Sequence, residues 1–296
     1  MGFRKLINGF RAFRHEYFHE DSELFDRLVN VGQSPKVMVI ACSDSRIDPA
    51  ILTRSEPGDI FSVRNIAAMV DANDDSDHRG HATSAAVEYA VKVLKVEHIV
   101  IMGHALCGGI NALAKSDESL ATDNGFIARW ISIGIDARDQ VRRFFPKKSV
   151  EEQSQILEQS SILVSINNLM TYPWVREGVE NGELKLHGWY FDIPNGNLLS
   201  YAPATKRFEN VLNIDIANDA AVQQPCCDAS TGTISVPDFL NTIKGSKLAR
   251  QSCLCEAGIA VKRTARVTGQ KIKQTAKAGC AMLVSPEFLT AAIEVI

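Results

Sequence analysis

Two short stretches carry residue types that can do chemistry together: Cys42-Ser43-Asp44-Ser45-Arg46 and His104-Ala105-Leu106-Cys107-Gly108-Gly109. Two thiolates and a neutral imidazole suit Zn²⁺, and three protein ligands leave the fourth tetrahedral position to water. His104 and Cys107 are three residues apart, so at a helix entrance they share a face. Cys42 reaches the same point from a separate segment. Zinc in such a site lowers the pKa of its bound water to about 7 and makes hydroxide available at neutral pH. Asp44 and Arg46 suit a supporting role, with Arg46 holding Asp44 ionised and Asp44 orienting that water.

Each feature alone has a plainer reading. An isolated cysteine is more often a small buried hydrophobe than a ligand, and Asp44 with Arg46 reads equally well as a structural ion pair. Redox chemistry of the Cys-X-X-Cys type is absent from this half of the chain. A phosphatase loop needs a longer Cys-to-Arg spacing. Only the combination of three ligand types and a dyad raises the catalytic reading above these.

The elements that would position the two stretches are legible. Lys36-Val-Met-Val-Ile-Ala41 and His98-Ile-Val-Ile-Met-Gly103 are short apolar runs of the buried parallel-strand type. Each leads straight into one of the reactive stretches, placing both at strand carboxyl ends, where ligands bind in open α/β sheets. Residues 59–64 alternate after the turn signal Pro57-Gly58 and form a further strand. Residues 184–191 and 197–201 form a closing hairpin across Pro-Asn-Gly-Asn. Helical periodicity covers 4–18, 22–31, 81–95, 107–117, 124–144 and 149–171. The fold class expected is α/β, with a central, mostly parallel sheet flanked by helices.

Composition excludes other classes. The chain has 296 residues, 45% hydrophobic and 23% charged, with a net charge of −3. That is ordinary for a globular protein and gives no basic field for nucleic acid or anionic lipid. No apolar run approaches the roughly 20 residues of a membrane span, and the start has no secretory h-region. The expectation is a cytoplasmic protein with no nucleic-acid or membrane partner.

The pair Cys42-X-Asp44-X-Arg46 and His104-X-X-Cys107-Gly-Gly resembles the active site of a β-class carbonic anhydrase. The likeness runs from about residue 5 to 212 and takes in Pro57–Asn65, Ser84–Ala90 and Leu186–Asp192. It implies Zn²⁺ on Cys42, His104 and Cys107, reversible hydration of CO₂ to bicarbonate by zinc-bound hydroxide, and a homodimer or homotetramer. The N-terminal helices would pack on the dimer partner, and the CO₂ pocket would lie at that interface. Gln33, nine residues before Cys42, matches the substrate-binding glutamine of the plant-like subtype. Phe61, Ile66 and Tyr89 match its pocket walls, and the Gly108 amide would help hold substrate. Packing is an equal reading for Phe61 and Ile66 and the stronger one for Tyr89. The other subtype has tryptophan where this chain has Val39. In a closed state of the family, Asp44 itself would ligate zinc. Ala105 departs from the family's usual Ser or Thr. Alternatives are hydrolysis of a related heteroallene (carbonyl sulfide or carbon disulfide) or a catalytically silent zinc scaffold.

Remaining polar clusters read as solvated surface. His15 and His19 share a helix face without a third ligand. His78 and His81 flank an acidic loop (Asp71, Asp74, Asp75, Asp77) that lacks calcium-loop spacing. Composition changes near Leu212. The last 84 residues hold only Phe239 and Phe288 as aromatics, and nine basic residues fall between Lys244 and Lys277 against one acid, Glu256. Residues 1–212 are read as the catalytic domain and 213–296 as an extension of unknown role. Part of the extension, such as 257–279, has a helical pattern. Its cysteines (226, 227, 253, 255 and 280) lack metal-site spacing.

Overall fold

A computed structural model describes residues 2–73, 82–117, 119–120, 125–213 and 234–245. The acidic loop's Asp74, Asp75 and Asp77, His78 and His81, the cysteines past 213 and the pattern over 257–279 lie outside these residues.

Six strands form one sheet in the order β2-β1-β3-β4-β5-β6. They are β1 (Val37–Cys42), β2 (Ile60–Asn65), β3 (His98–His104), β4 (Lys185–Asp192), β5 (Asn197–Ala202) and β6 (Arg207–Asn210). The first four pair in parallel, whereas β5 and β6 run antiparallel. The chain leaves β1 toward β2 on one side and builds β3 and β4 on the other. The crevice between the carboxyl ends of β1 and β3 is therefore the topological switch point, where ligands bind in such sheets. Cys42 and His104 are the last residues of these two strands.

Strand alternation sorts the side chains between two faces. Met38, Ile40, Ile99 and Ile101 enter the main core, whereas Val39, Ala41, Val100 and Met102 form a small cluster on the opposite face. The main core is built on α8 (Val150–Leu169), which is buried on nearly every side and begins in a Ser149–Glu152 capping box. Gly103 and Gly188 let it approach. A Cβ at either would stand 2.7 or 2.9 Å from the Ile162 side chain. The other helices are α3 (Pro49–Thr53), α4 (Ala82–Glu88), α5 (Gly108–Lys115), α6 (Phe126–Ile131), α7 (Ile135–Phe144) and α9 (Pro173–Glu180). The continuous helix expected over 124–144 is broken into α6 and α7 at Gly134, which packs against Leu113 and Met69.

At the N-terminus, α1 (Phe3–His15) and α2 (Glu23–Val31) have no buried residue. They meet through a cluster of Phe13, Tyr17 and Phe25 rings. Phe3, Leu6 and Phe10 are left 77%, 58% and 62% exposed.

Packing continues past the compositional change at 212. Helix α10 (Val236–Gly245) lays Phe239 and Leu240, both fully buried, on the antiparallel end of the sheet, where Phe239 meets Tyr201 and Phe208. The Asn167 side-chain amide donates to the Ile234 carbonyl, and its Oδ1 accepts from the Ile234 amide. A single helix turn of apolar residues in a polar tail gave no periodicity long enough to reveal this anchor. Phe239→Ala should cost about 3–5 kcal/mol of stability, the usual cost of emptying a buried phenylalanine site, as read by denaturant unfolding. A surface-like loss below about 1 kcal/mol would show that α10 is only laid against the domain.

At the amino end of β4, His187 shares a 3.0 Å contact with His98. Burial pushes its pKa from the ordinary 6.5 down to about 4. The folded state therefore resists protonation more than the unfolded chain, and the corresponding stability is present above pH 6.5. It drains away as pH falls toward 4, by up to about 3 kcal/mol. Thermal melts between pH 7 and 4.5 should show this slope in the wild type and a flatter one in His187→Asn.

Candidate active site

The site is built from the ends of two strands and the start of one helix. Cys42 closes β1, His104 closes β3, and Cys107 is the N-cap of α5. All three are buried, and their ligand atoms lie within 4.8 Å of one another, with the two sulfurs 3.9 Å apart. Among the described residues this is the one such cluster of metal-ligating side chains.

The donors fit a zinc ion. His104 Nδ1 faces the Ala105 carbonyl at 2.8 Å, which assigns the proton to Nδ1 and turns a free lone pair on Nε2 toward the sulfurs. That Nε2 is buried with no hydrogen-bond partner, an arrangement that costs free energy unless a cation takes the lone pair. Hydrogen bonding between the thiols drives the pair apart: Cys42 is lowered to about 4, and Cys107 is raised by that bond and by burial. Burial opposes protonation of His104, but the Cys42 sulfur and the Ala105 carbonyl outweigh it and raise its pKa.

Asp44 and Arg46 lie at this cluster. Arg46 grips the carboxylate with Nε on Oδ1 at 2.9 Å and a guanidinium nitrogen on Oδ2 at 2.7 Å, while its own amide donates to Oδ1. The same guanidinium reaches the Leu106 carbonyl, tying the two reactive stretches together. These bonds hold the Asp44 carboxyl well below the ordinary carboxylate range. Asp44 Oδ2 stands 3.9 Å from His104 Nε2, beside the ligand trio.

Four residues that the sequence reading gave no role complete the frame. Arg64, on β2, donates to the carbonyls of Cys42, Asp44 and Ile47 and pairs with Asp48. Asp48 in turn caps α3. Glu158, 3% exposed, accepts from the Cys107 amide at 3.1 Å and from the Tyr190 hydroxyl at 2.8 Å. Its pKa is raised to about 7 by burial, against the pull of those donors. A signal for Glu158 existed, because it stands four residues before Ile162 and eight before Ile166 on the stripe that faces the sheet. The Ala67 amide donates to Cys42 Sγ at 3.3 Å, a backbone role no side-chain pattern reveals.

The pocket candidates are only partly gathered. Ile66 follows Asn65, which pairs with Cys42, and it is 42% exposed. Above Gly108 a side chain would meet nothing within 4 Å, so its end of α5 is open. The Phe61 and Tyr89 rings meet in a tilted contact with centroids 5.9 Å apart. Phe61 pairs with Met38, four residues before Cys42, roughly 13 Å along the strand from the ligands of its own chain. Gln33 is exposed between α2 and β1 and makes no hydrogen bond among the described residues.

These features agree with what similarity shows. The family model described as carbonic anhydrase matches residues 37–198. A β carbonic anhydrase 6 of Arabidopsis thaliana, named as mitochondrial, is 36% identical over 194 residues, which is 66% of this chain and 66% of that protein. The β-carbonic anhydrase CcaA superposes with a TM-score of 0.64 at 32% identity, covering 70% of this chain and 98% of that one. A tetrameric β-carbonic anhydrase of Sordaria macrospora gives 0.58 at 30% identity, covering 67% and 95%. The chain belongs to the β-class carbonic anhydrase family.

Removing a ligand should remove the metal. Elemental analysis of Cys42→Ser should fall well below one zinc per chain and its melting temperature should drop, because metal binding contributes folding free energy. Glu158→Ala, which frees the Cys107 amide, should weaken zinc binding by about 10–100-fold in a competition titration.

Proposed function

We propose that this protein catalyses the zinc-dependent, reversible hydration of CO₂ to bicarbonate and a proton. The observation that carries the reading is the buried Cys42–His104–Cys107 trio with the Asp44 carboxylate held beside it by Arg46. Zn²⁺, when bound there, supplies a Lewis acid that makes hydroxide available near neutral pH.

The chain's own groups supply the rest. The Asp44 carboxylate stays ionised at neutral pH because Arg46 binds it in a two-pronged contact, so it works as a hydrogen-bond acceptor that orients the nucleophile. The Gly108 amide, at the open start of α5, donates to a substrate oxygen, and Ile66 walls off water. A silent scaffold has no use for a dyad so fully assembled. Nothing in the site favours carbonyl sulfide or carbon disulfide over CO₂. Stopped-flow hydration of CO₂ by the purified zinc protein tests the reading, and a rate no better than buffer would end it.

Two features support a homo-oligomer with the site at its interface. The apolar face of α1 has no cover among the described residues, and a relative of known structure is tetrameric. Gln33, Phe61 and Tyr89 then complete the pocket of a partner's zinc rather than their own. Gln33→Ala and Cys42→Ser, each inactive alone, should regain hydration activity when co-assembled, because the mixed dimer has one complete site. No recovery in verified mixed dimers would place Gln33 in its own chain's site.

Val39, 2% exposed in the small cluster, stands where the other subtype has tryptophan, which supports the plant-like subtype with Asp44 off the metal. Arg46→Ala should keep zinc but lose hydration rate by at least about a hundredfold as Asp44 takes the fourth position. X-ray absorption would then show a carboxylate on zinc in the variant and none in the wild type between about pH 6.5 and 8.5. Two thiol ligands need a reducing compartment, which supports a cytoplasmic location. The catalytic domain is residues 1–212 and the extension residues 213–296, of which α10 packs on the end of the sheet.

A further inference from the structure

We infer that Trp130 is a positioning residue for the Cys42 ligand, acting through the strained turn at residues 66–68. Ala67 and Ala68 both take left-handed backbone conformations, with φ of 64° and 53°. Alanine rarely adopts this region, and such strain persists only where the surroundings over-determine it. Here they do. The Ala68 carbonyl accepts from Ser165 Oγ, the Met69 carbonyl from Asn65 Nδ2 and the Val70 carbonyl from Asn168 Nδ2. On the outer side the Trp130 indole N–H, carried on α6, donates to the Ile66 carbonyl at 2.8 Å. Opposite it Gly109 closes in, so that a Cβ there would stand 2.8 Å from Ile66 Cγ2 and 3.2 Å from Ala67 Cβ.

What this conformation achieves is one hydrogen bond. It aims the Ala67 amide at Cys42 Sγ, 3.3 Å away. An N–H donated to a thiolate draws electron density from the sulfur and fixes its direction, so the ligand gives less charge to its metal. Among the inner pins Ser165 is fully buried, and Asn65 and Asn168 are half-buried, whereas Ile66 is 42% exposed. Trp130 therefore holds the more exposed end of the turn. The same bond sets the backbone of Ile66, the pocket wall in the proposed reaction.

This inference rests on Cys42 being a metal ligand, and cobalt(II) reads both claims separately. Wild-type protein loaded with Co²⁺ should show a sulfur-to-cobalt charge-transfer band, and its absence would overturn the metal site itself. Trp130→Phe keeps a ring and loses the N–H. Its band should move to longer wavelength as the sulfur regains electron density, and kcat/KM of the zinc form should fall about tenfold. Trp130→His, which restores a ring N–H, should recover part of both. If Trp130→Phe is not soluble, Trp130→Met, which likewise removes the ring N–H, should move the band the same way. An unmoved band in the variant measured, with only a lower melting temperature, would show that Trp130 merely packs and would overturn the inference while leaving the metal site standing.

Discussion

Two sulfurs 3.9 Å apart and an imidazole lone pair without a partner, all in a buried pocket, are the constraint on which the rest of the molecule depends. Like charges so close cannot both persist in a dry site without a cation between them. Without a cation the two sulfurs share one hydrogen bond, which lowers Cys42 and raises Cys107. A site of this kind is assembled by the fold, which holds the two sulfurs in one hydrogen bond and the imidazole beside them.

The sheet does the assembling. Parallel pairing of β1 with β3 brings Cys42 and His104 to neighbouring strand ends, and the start of α5 returns Cys107 to the same point. The donors are then locked from several directions. Arg64 holds the loop after β1 by three carbonyls, Glu158 holds the Cys107 amide from beneath, and Ala105 sets the His104 tautomer. The glycines at 103 and 188 matter for the same reason, since they let α8 come close enough to place Glu158 behind the ligands.

Charge is arranged with equal economy. Arg46 neutralises Asp44 from the solvent side and bonds the Leu106 carbonyl, so one guanidinium orients the carboxylate and joins the two ligand-bearing stretches. Asp44 thus lies beside the ligand trio, 3.9 Å from His104 Nε2, with its carboxylate held by that two-pronged contact.

Ligand types and their spacing are local properties, so Cys42, Asp44, Arg46, His104 and Cys107 were legible in the sequence, as were the apolar runs that carry them. Fold class followed, because short buried strands alternating with amphipathic helices have few ways to pack. Other features needed the three-dimensional arrangement. Glu158 touches Cys107 across 51 residues and Arg64 meets Cys42 across 22, contacts that no periodicity encodes. The Ala67 amide acts through its backbone, which every residue has. The break at Gly134 and the anchoring of α10 likewise reflect tertiary packing overriding local pattern. Sequence determined which atoms were available to bind and react; only the tertiary structure decided which of them meet, because long-range contacts arise from sheet register and burial rather than from neighbours along the chain.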